Sequence, residues 1–236
     1  MTAGNRLIVA LDYKDKKEAL AMARRLRGRV KTVKVGSVLF TAYGPAIIQS
    51  LRKLGFEVML DLKFYDIPNT VELSCRAAAG LGISLLTVHA SGGTIMLSAA
   101  AQGARERARE LGLPRPKVLA VTVLTSIGGT SAAKTRDQVV RLALEAGEAG
   151  CHGIVASAQE AAFVRRRLGK KFLIVCPGIR LQDANGADDQ RRVATPARAL
   201  SQGADYLVVG RPITAAADPA RAVKNLLKEM EAFSGC

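Results

Sequence analysis

Short runs of apolar, largely β-branched residues alternate along the chain with longer stretches in which apolar residues return every three or four positions. The short runs, at residues 7–11, 32–35, 57–62, 85–89, 118–123, 153–156, 172–175 and 206–209, have the length and composition of buried strands. The longer stretches, at 15–26, 45–54, 71–79, 94–111, 135–149, 159–168, 196–202 and 219–233, carry the helical period. Gly55, Gly80, Gly112, Gly150, Gly169 and Gly203 stand where such helices would stop. Strands followed in turn by helices predict an α/β protein, a (β/α)8 TIM barrel. A doubly wound open sheet is the alternative. Its first strand would normally run into a glycine-rich turn, whereas here Leu11 leads into Asp12-Tyr13-Lys14. With no linker, low-complexity segment or short repeat, residues 1–236 are expected to form a single barrel domain.

A barrel concentrates its functional groups at the C-terminal ends of its strands, which gives a test on the sequence alone. Asp12 follows the first strand, Lys34 and Gly36 close the second, and His89 closes the fourth. Thr125-Ser126 follow the fifth, Pro177-Gly178-Ile179-Arg180 the seventh, and Gly210-Arg211 the eighth. The richest end is that of the third strand, in EVMLDLKFYDIPNT at residues 57–70. Alternation along a strand places Asp61 and Lys63 on one face while Val58 and Leu60 pack on the other. Asp66 comes just after, and Pro68-Asn69 then interrupt the pattern, leaving Thr70 to cap an apolar helix from Val71.

At 236 residues and 49% hydrophobic composition the chain can bury a full core. No apolar run reaches the roughly 18 residues of a membrane span, and the N-terminus enters a strand without a secretory pattern, so a soluble, cytoplasmic protein is expected. Cys75, Cys151, Cys176 and Cys236 lack C-x-x-C spacing and only His89 and His152 could join them, so reduced thiols and no structural metal are expected. The formal charge of +15 raises the question of nucleic acid. The arginines are spread over several helices (Arg24, Arg25 and Arg27; Arg105, Arg107 and Arg109; Arg165, Arg166 and Arg167), and aromatics make up only 4% with no tryptophan. Platforms for stacking bases are scarce, so a solvated basic surface whose field attracts an anionic substrate is the reading, without nucleic acid as partner.

Taken singly, an aspartate or lysine at a strand end is a surface charge or a cap. Lys34, Asp61, Lys63 and Asp66 together form an alternating array that keeps both ammonium groups protonated while showing negative charge to part of a substrate, with no metal required. His89, closing a buried strand, reads as a packed core residue and is left out of the chemistry. After the eighth strand, Gly210 lets backbone approach an anion and Arg211 can fork two hydrogen bonds onto it, the pattern of a phosphate site. Gln190 could add a neutral donor from the long loop between Pro177 and Thr195, whose length suggests a closing lid. The implied ligand is a phosphate ester.

These residues resemble the orotidine 5'-phosphate decarboxylase family of the bacterial type, over nearly the whole chain. DLKFYDIPNT looks like the family's signature around its catalytic lysine, and VALD, KVG, VHASGG, VTVLTS, PGIR with DDQRR, and VVGRPIT follow the family's order. The resemblance implies a (β/α)8 barrel acting as a homodimer that converts orotidine 5'-phosphate to UMP, the last step of de novo pyrimidine nucleotide synthesis, without cofactor or metal. It implies that Lys63 protonates C6, that Asp61 lies beside the substrate carboxylate, and that Lys34 and Asp66 complete the array. Asp66 and Thr70 would reach into the partner's site. Asp12 resembles the ribose-binding aspartate, Thr125 the pyrimidine-side residue, and Arg180, Gln190, Gly210 and Arg211 the phosphate-binding set.

Two rival readings remain. Metal-dependent relatives, of the hexulose-phosphate synthase or ketogulonate-phosphate decarboxylase type, are similar in the Asp-x-Lys-x-x-Asp core but use Mg2+; Pro68-Asn69-Thr70, PGIR and DDQ speak against them. A basic nucleic-acid binder would account for the charge but leaves the acid and lysine cluster without a purpose.

Overall fold

Eight parallel strands close into a barrel in a computed structural model that describes residues 2–125, 131–180 and 192–234. The chain begins with α1 (Ala3–Arg6), β1 (Leu7–Ala10), α2 (Lys16–Leu26), β2 (Thr32–Gly36), α3 (Ser37–Tyr43), α4 (Pro45–Lys53) and β3 (Glu57–Phe64). It continues through α5 (Pro68–Gly80), β4 (Leu85–His89), α6 (Gly93–Glu110), β5 (Lys117–Val121), α7 (Ala132–Glu148) and β6 (Gly153–Val155). The last elements are α8 (Ala158–Leu168), β7 (Leu173–Cys176), α9 (Pro196–Ser201), β8 (Tyr206–Val209), α10 (Arg211–Thr214) and α11 (Pro219–Ser234). Each strand pairs with its neighbours in sequence, and β1 closes the ring by pairing Val9 with Val33 of β2 and with Val209 of β8.

The alternation read from the sequence divides the strands' side chains into two sets. Ile8, Ala10, Met59, Leu85, Leu119, Val175 and Val208 form a small cluster inside the barrel, drawn from strands alone. Their neighbours Leu7, Val9, Val58, Leu60 and Leu86 join a larger core shared with the helices. Local signals fix several helix ends: Asp15 accepts hydrogen bonds from the Lys17 and Glu18 amides at the start of α2, and Ser157 accepts one from Gln159 at the start of α8. Arg165, one of the dispersed arginines, is not a free surface charge; it pairs with Asp205 at 2.6 Å and donates to the carbonyls of Gly203, Gly169 and Phe172. Cys75, Cys151 and Cys176 are buried and free, and burial pushes the first two thiols up to about 12. Among the described residues no helix is long and apolar enough to cross a membrane.

Four local expectations need correction. Residues 37–43 form the helix α3, which their β-branched and aromatic content did not announce; packing overrides weak propensity there, and Gly44 at φ 54° separates α3 from α4. Thr70 caps nothing: α5 begins at Pro68 with Ile67 as its N-cap, because proline's fixed φ suits the first helical position. β5 ends at Val121, two residues early, where Thr122 turns its hydroxyl onto the Val155 carbonyl at 2.9 Å. β3 runs on to Phe64 but not as a plain strand. Leu60 pairs with Leu86 and Phe64 with Val88, so β3 advances four residues while β4 advances two. The surplus is a bulge that contains Lys63, at φ 53°.

Candidate active site

The C-terminal rim of the barrel opens into a cavity of about 500 Å³. Ala10, Met59 and Val208, from the interior cluster, form its apolar floor, and Asp12, Lys34, Asp61 and Lys63 stand along one wall. Val123, Leu124 and Thr125, Gly178 and Arg180, and Gly210 and Arg211 contribute from the ends of β5, β7 and β8. Barrel topology thus brings together groups separated by up to two hundred residues of chain.

The four charged side chains form a continuous chain of contacts. Lys34 Nζ lies 2.8 Å from Asp12 Oδ1 and 3.4 Å from Asp61 Oδ2, and Lys63 Nζ lies 2.9 Å from the same Asp61 oxygen. Gly36 makes room for this: a Cβ there would sit 3.2 Å from Lys34 Nζ and 3.4 Å from Asp12 Oδ1. Burial works against charge on Lys34, but Asp61 and Asp12 outweigh it and hold its pKa above the ordinary lysine value. Burial likewise opposes charge on Asp61, yet Lys34 and Lys63, with hydrogen bonds from Lys63 and Thr87, keep its pKa below the usual carboxylate value. Both groups are therefore ionised at neutral pH.

Thr87 is the member that sequence reading missed. Its hydroxyl donates to Asp61 Oδ1 at 2.9 Å and accepts the Lys63 amide at 3.0 Å, so one fully buried side chain fixes both the carboxylate and the bulge. The available signal was a lone polar residue inside the apolar run LLTVH of β4. Alternation did place Asp61 and Lys63 together, but Lys63 reaches its position through left-handed backbone rather than through a regular pleat.

Of the other expected residues, Asp12, Thr125, Arg180, Gly210 and Arg211 line the cavity. Gly210 is the N-cap of α10 and Arg211 its first residue. The ends of the long loop are clipped together by the Arg180 amide on the Ala194 carbonyl and the Ala194 amide on the Gly178 carbonyl. Gln190 and Ser126, and with them most of the expected lid, lie outside the described residues. Asp66 and Thr70 are not in this cavity. Both are exposed, and Asp66 Oδ1 accepts the Ile67 amide at 2.7 Å. Their neighbours along the chain, Tyr65, Ile67 and Leu73, are exposed apolar side chains. His89 is half-buried beside the Tyr65 ring, and burial, then Lys63, lower its pKa, in keeping with a packed neutral ring.

The cavity therefore offers a fixed ammonium held against a buried carboxylate, an apolar floor, and two arginines. Such a site can stabilise negative charge developing on a bound anion without solvent reorganisation. Comparison with known proteins agrees with this architecture. Residues 5–226 match the family described as orotidine 5'-phosphate decarboxylase / HUMPS. The chain is 46% identical over 235 residues to the orotidine 5'-phosphate decarboxylase of Chromobacterium violaceum, covering 97% of this chain and 93% of that one. It is 45% identical over 238 residues to that of Moorella thermoacetica, covering 98% and 94%. Among solved structures, orotidine 5'-phosphate decarboxylase from Lactobacillus acidophilus superposes with a TM-score of 0.83 at 37% identity, over 96% of this chain and 99% of that one.

Proposed function

Because the chain belongs to the orotidine 5'-phosphate decarboxylase / HUMPS family, we propose that it converts orotidine 5'-phosphate to UMP and CO2 in the cytoplasm, as the closing step of pyrimidine nucleotide synthesis. The observation that carries the reading is the Asp12, Lys34, Asp61, Lys63 chain beside an apolar floor. Arg180, Arg211 and Gly210 hold the substrate phosphate, Asp12 the ribose, and Thr125 the pyrimidine. The substrate carboxylate lies next to Asp61. As the bond from C6 to the carboxylate breaks, its electron pair stays on C6, CO2 leaves, and Lys63 Nζ gives C6 a proton. Lys63 recovers a proton from water.

Lys63 supplies both field and acid, and Lys34 with Thr87 keeps Asp61 from turning away. A fixed ammonium costs no solvent reorganisation at the moment of charge development, which is how such a site lowers a barrier. No cofactor enters this scheme. The two carboxylates in the cavity that a divalent cation would need are already engaged by lysine ammonium groups, which favours this reading over the Mg2+-dependent sugar-phosphate relatives.

The working unit in this reading is a homodimer. Asp66 and Thr70 stand exposed among Tyr65, Ile67 and Leu73, where a second copy would bury the apolar side chains and receive the two polar ones in its own site. The test is the absorbance change when EDTA-treated protein meets orotidine 5'-phosphate. Turnover is expected, and Lys63→Ala should lower it by at least about 10²- to 10⁴-fold, the usual worth of a general acid, while UMP still binds. Activity that appears only on adding Mg2+ would turn the assignment toward the sugar-phosphate relatives.

A further inference from the structure

One buried ion pair lies outside the chain of charges described above. Arg192 Nη1 lies 2.8 Å from Glu160 Oε1 with both side chains nearly sequestered, and Glu160, in the first turn of α8, is only 4% exposed. The pair is incompletely satisfied: Glu160 Oε2 and Arg192 Nε have no hydrogen-bond partner among the described residues. Burying two charges with spare valences is costly, and a well-packed apolar pair of similar volume would often be as stable. Fold stability alone gives poor reason for it.

The rest of the guanidinium suggests another purpose. Arg192 Nη2 donates to the Val123 carbonyl at 2.9 Å and to the Leu124 carbonyl at 3.1 Å. These residues belong to the segment just past β5 that, with Thr125, lines the cavity. β5 pairing has ended at Val121, so the sheet no longer holds this backbone. Glu160 sets the guanidinium plane and the guanidinium sets two successive carbonyls.

We infer that Arg192, oriented by Glu160, is a positioning residue that fixes the 123–125 wall against the base of the bound nucleotide. This rests on the function proposed above, since it presumes a pyrimidine nucleotide in the cavity. The hydrogen bonds of the pair run to the Val123 and Leu124 carbonyls just past β5, so its influence should fall on the base and spare the phosphate.

The experiment compares the binding of UMP and of ribose 5-phosphate, which lacks the base, by calorimetry. The protein is wild type and the variant Arg192→Met/Glu160→Leu, which removes both buried charges together. Expected is a loss of UMP affinity of about 10- to 100-fold, as for a slightly misplaced wall, with ribose 5-phosphate affinity unchanged. Glu160→Gln, which keeps an acceptor for Arg192, should show the same selective loss in smaller measure and covers the case in which the double variant fails to fold. Unchanged UMP affinity, or equal losses for the two ligands in a folded variant, would overturn the inference. A wild-type protein that binds ribose 5-phosphate but gains nothing from the base would instead remove the proposed function and the inference with it.

Discussion

Lys63 is the sole non-glycine residue with positive φ among the described residues. A side chain in left-handed backbone costs about 1–2 kcal/mol, and this residue also carries the ammonium nearest the Asp61 carboxylate on the bulge. The strain is thus found where a charge must leave the strand's regular pleat. Lys63→Gly should therefore be more stable than Lys63→Ala by about 0.5–1 kcal/mol in urea unfolding, because relief of strain exceeds the added chain entropy. An alanine variant as stable as the glycine one would show that no strain is stored there. Arg211→Ala belongs to the same scale. Its KM for orotidine 5'-phosphate should rise about tenfold to a hundredfold, the worth of one or two charge-assisted hydrogen bonds, and an unchanged KM would remove Arg211 from the phosphate site.

Among the elements, the strands carry two kinds of polar device. At their C-terminal ends they aim side chains into the cavity. At their N-terminal ends His152, just before β6, accepts the Val118 amide on Nδ1 at 3.1 Å, a bond that only a ring unprotonated at that nitrogen can make. Burial, with Arg115 and Lys117 nearby, lowers its pKa to about 4 from the free value of 6.5. As pH falls the unfolded chain takes up this proton first, so the contribution to stability is whole above 6.5, is lost between 6.5 and about 4, and levels off below. The slope is at most about 1.4 kcal/mol per pH unit, and less once solvent screening of the half-buried ring is counted. Urea midpoints at pH 7 and pH 5 should differ in the wild type, and His152→Asn, whose Oδ1 can replace Nδ1 as acceptor, should flatten that difference. An equal slope in both proteins would locate the acid sensitivity elsewhere. Elements also account for what the sequence left obscure. The helix start at Pro68 was hidden because Pro68-Asn69 reads equally as a turn, and α3 because local propensity disfavoured it.

For the whole molecule, the informative fact is that Asp66 and Thr70 are exposed and do not line the cavity. One chain assembles Asp12, Lys34, Asp61 and Lys63 but leaves Asp66 on an exposed apolar face. If a second copy supplies it, inactive Lys63→Ala and inactive Asp66→Ala proteins should complement each other on mixing. About a quarter of wild-type activity is expected, since half of randomly paired dimers are mixed and each of those holds one intact site. No recovery in demonstrably mixed dimers would confine each site to one chain.

The barrel was legible from sequence because its cause is periodic: strand and helix spacings recur along the chain, and each apolar face must be covered. So were Asp12, Lys34, Asp61, Lys63, Gly210 and Arg211, because parallel strands deliver their C-terminal ends to one rim. What only the tertiary structure decided depends on contacts between strands and loops far apart in sequence. Thr87 looks like an ordinary strand residue until β4 lies against the bulge of β3, and Arg192 like a surface charge until α8 and the end of β5 surround it. Periodicity specifies which face a side chain occupies; which partner meets it there is set by register, bulges and burial, and these exist only once the ring has closed.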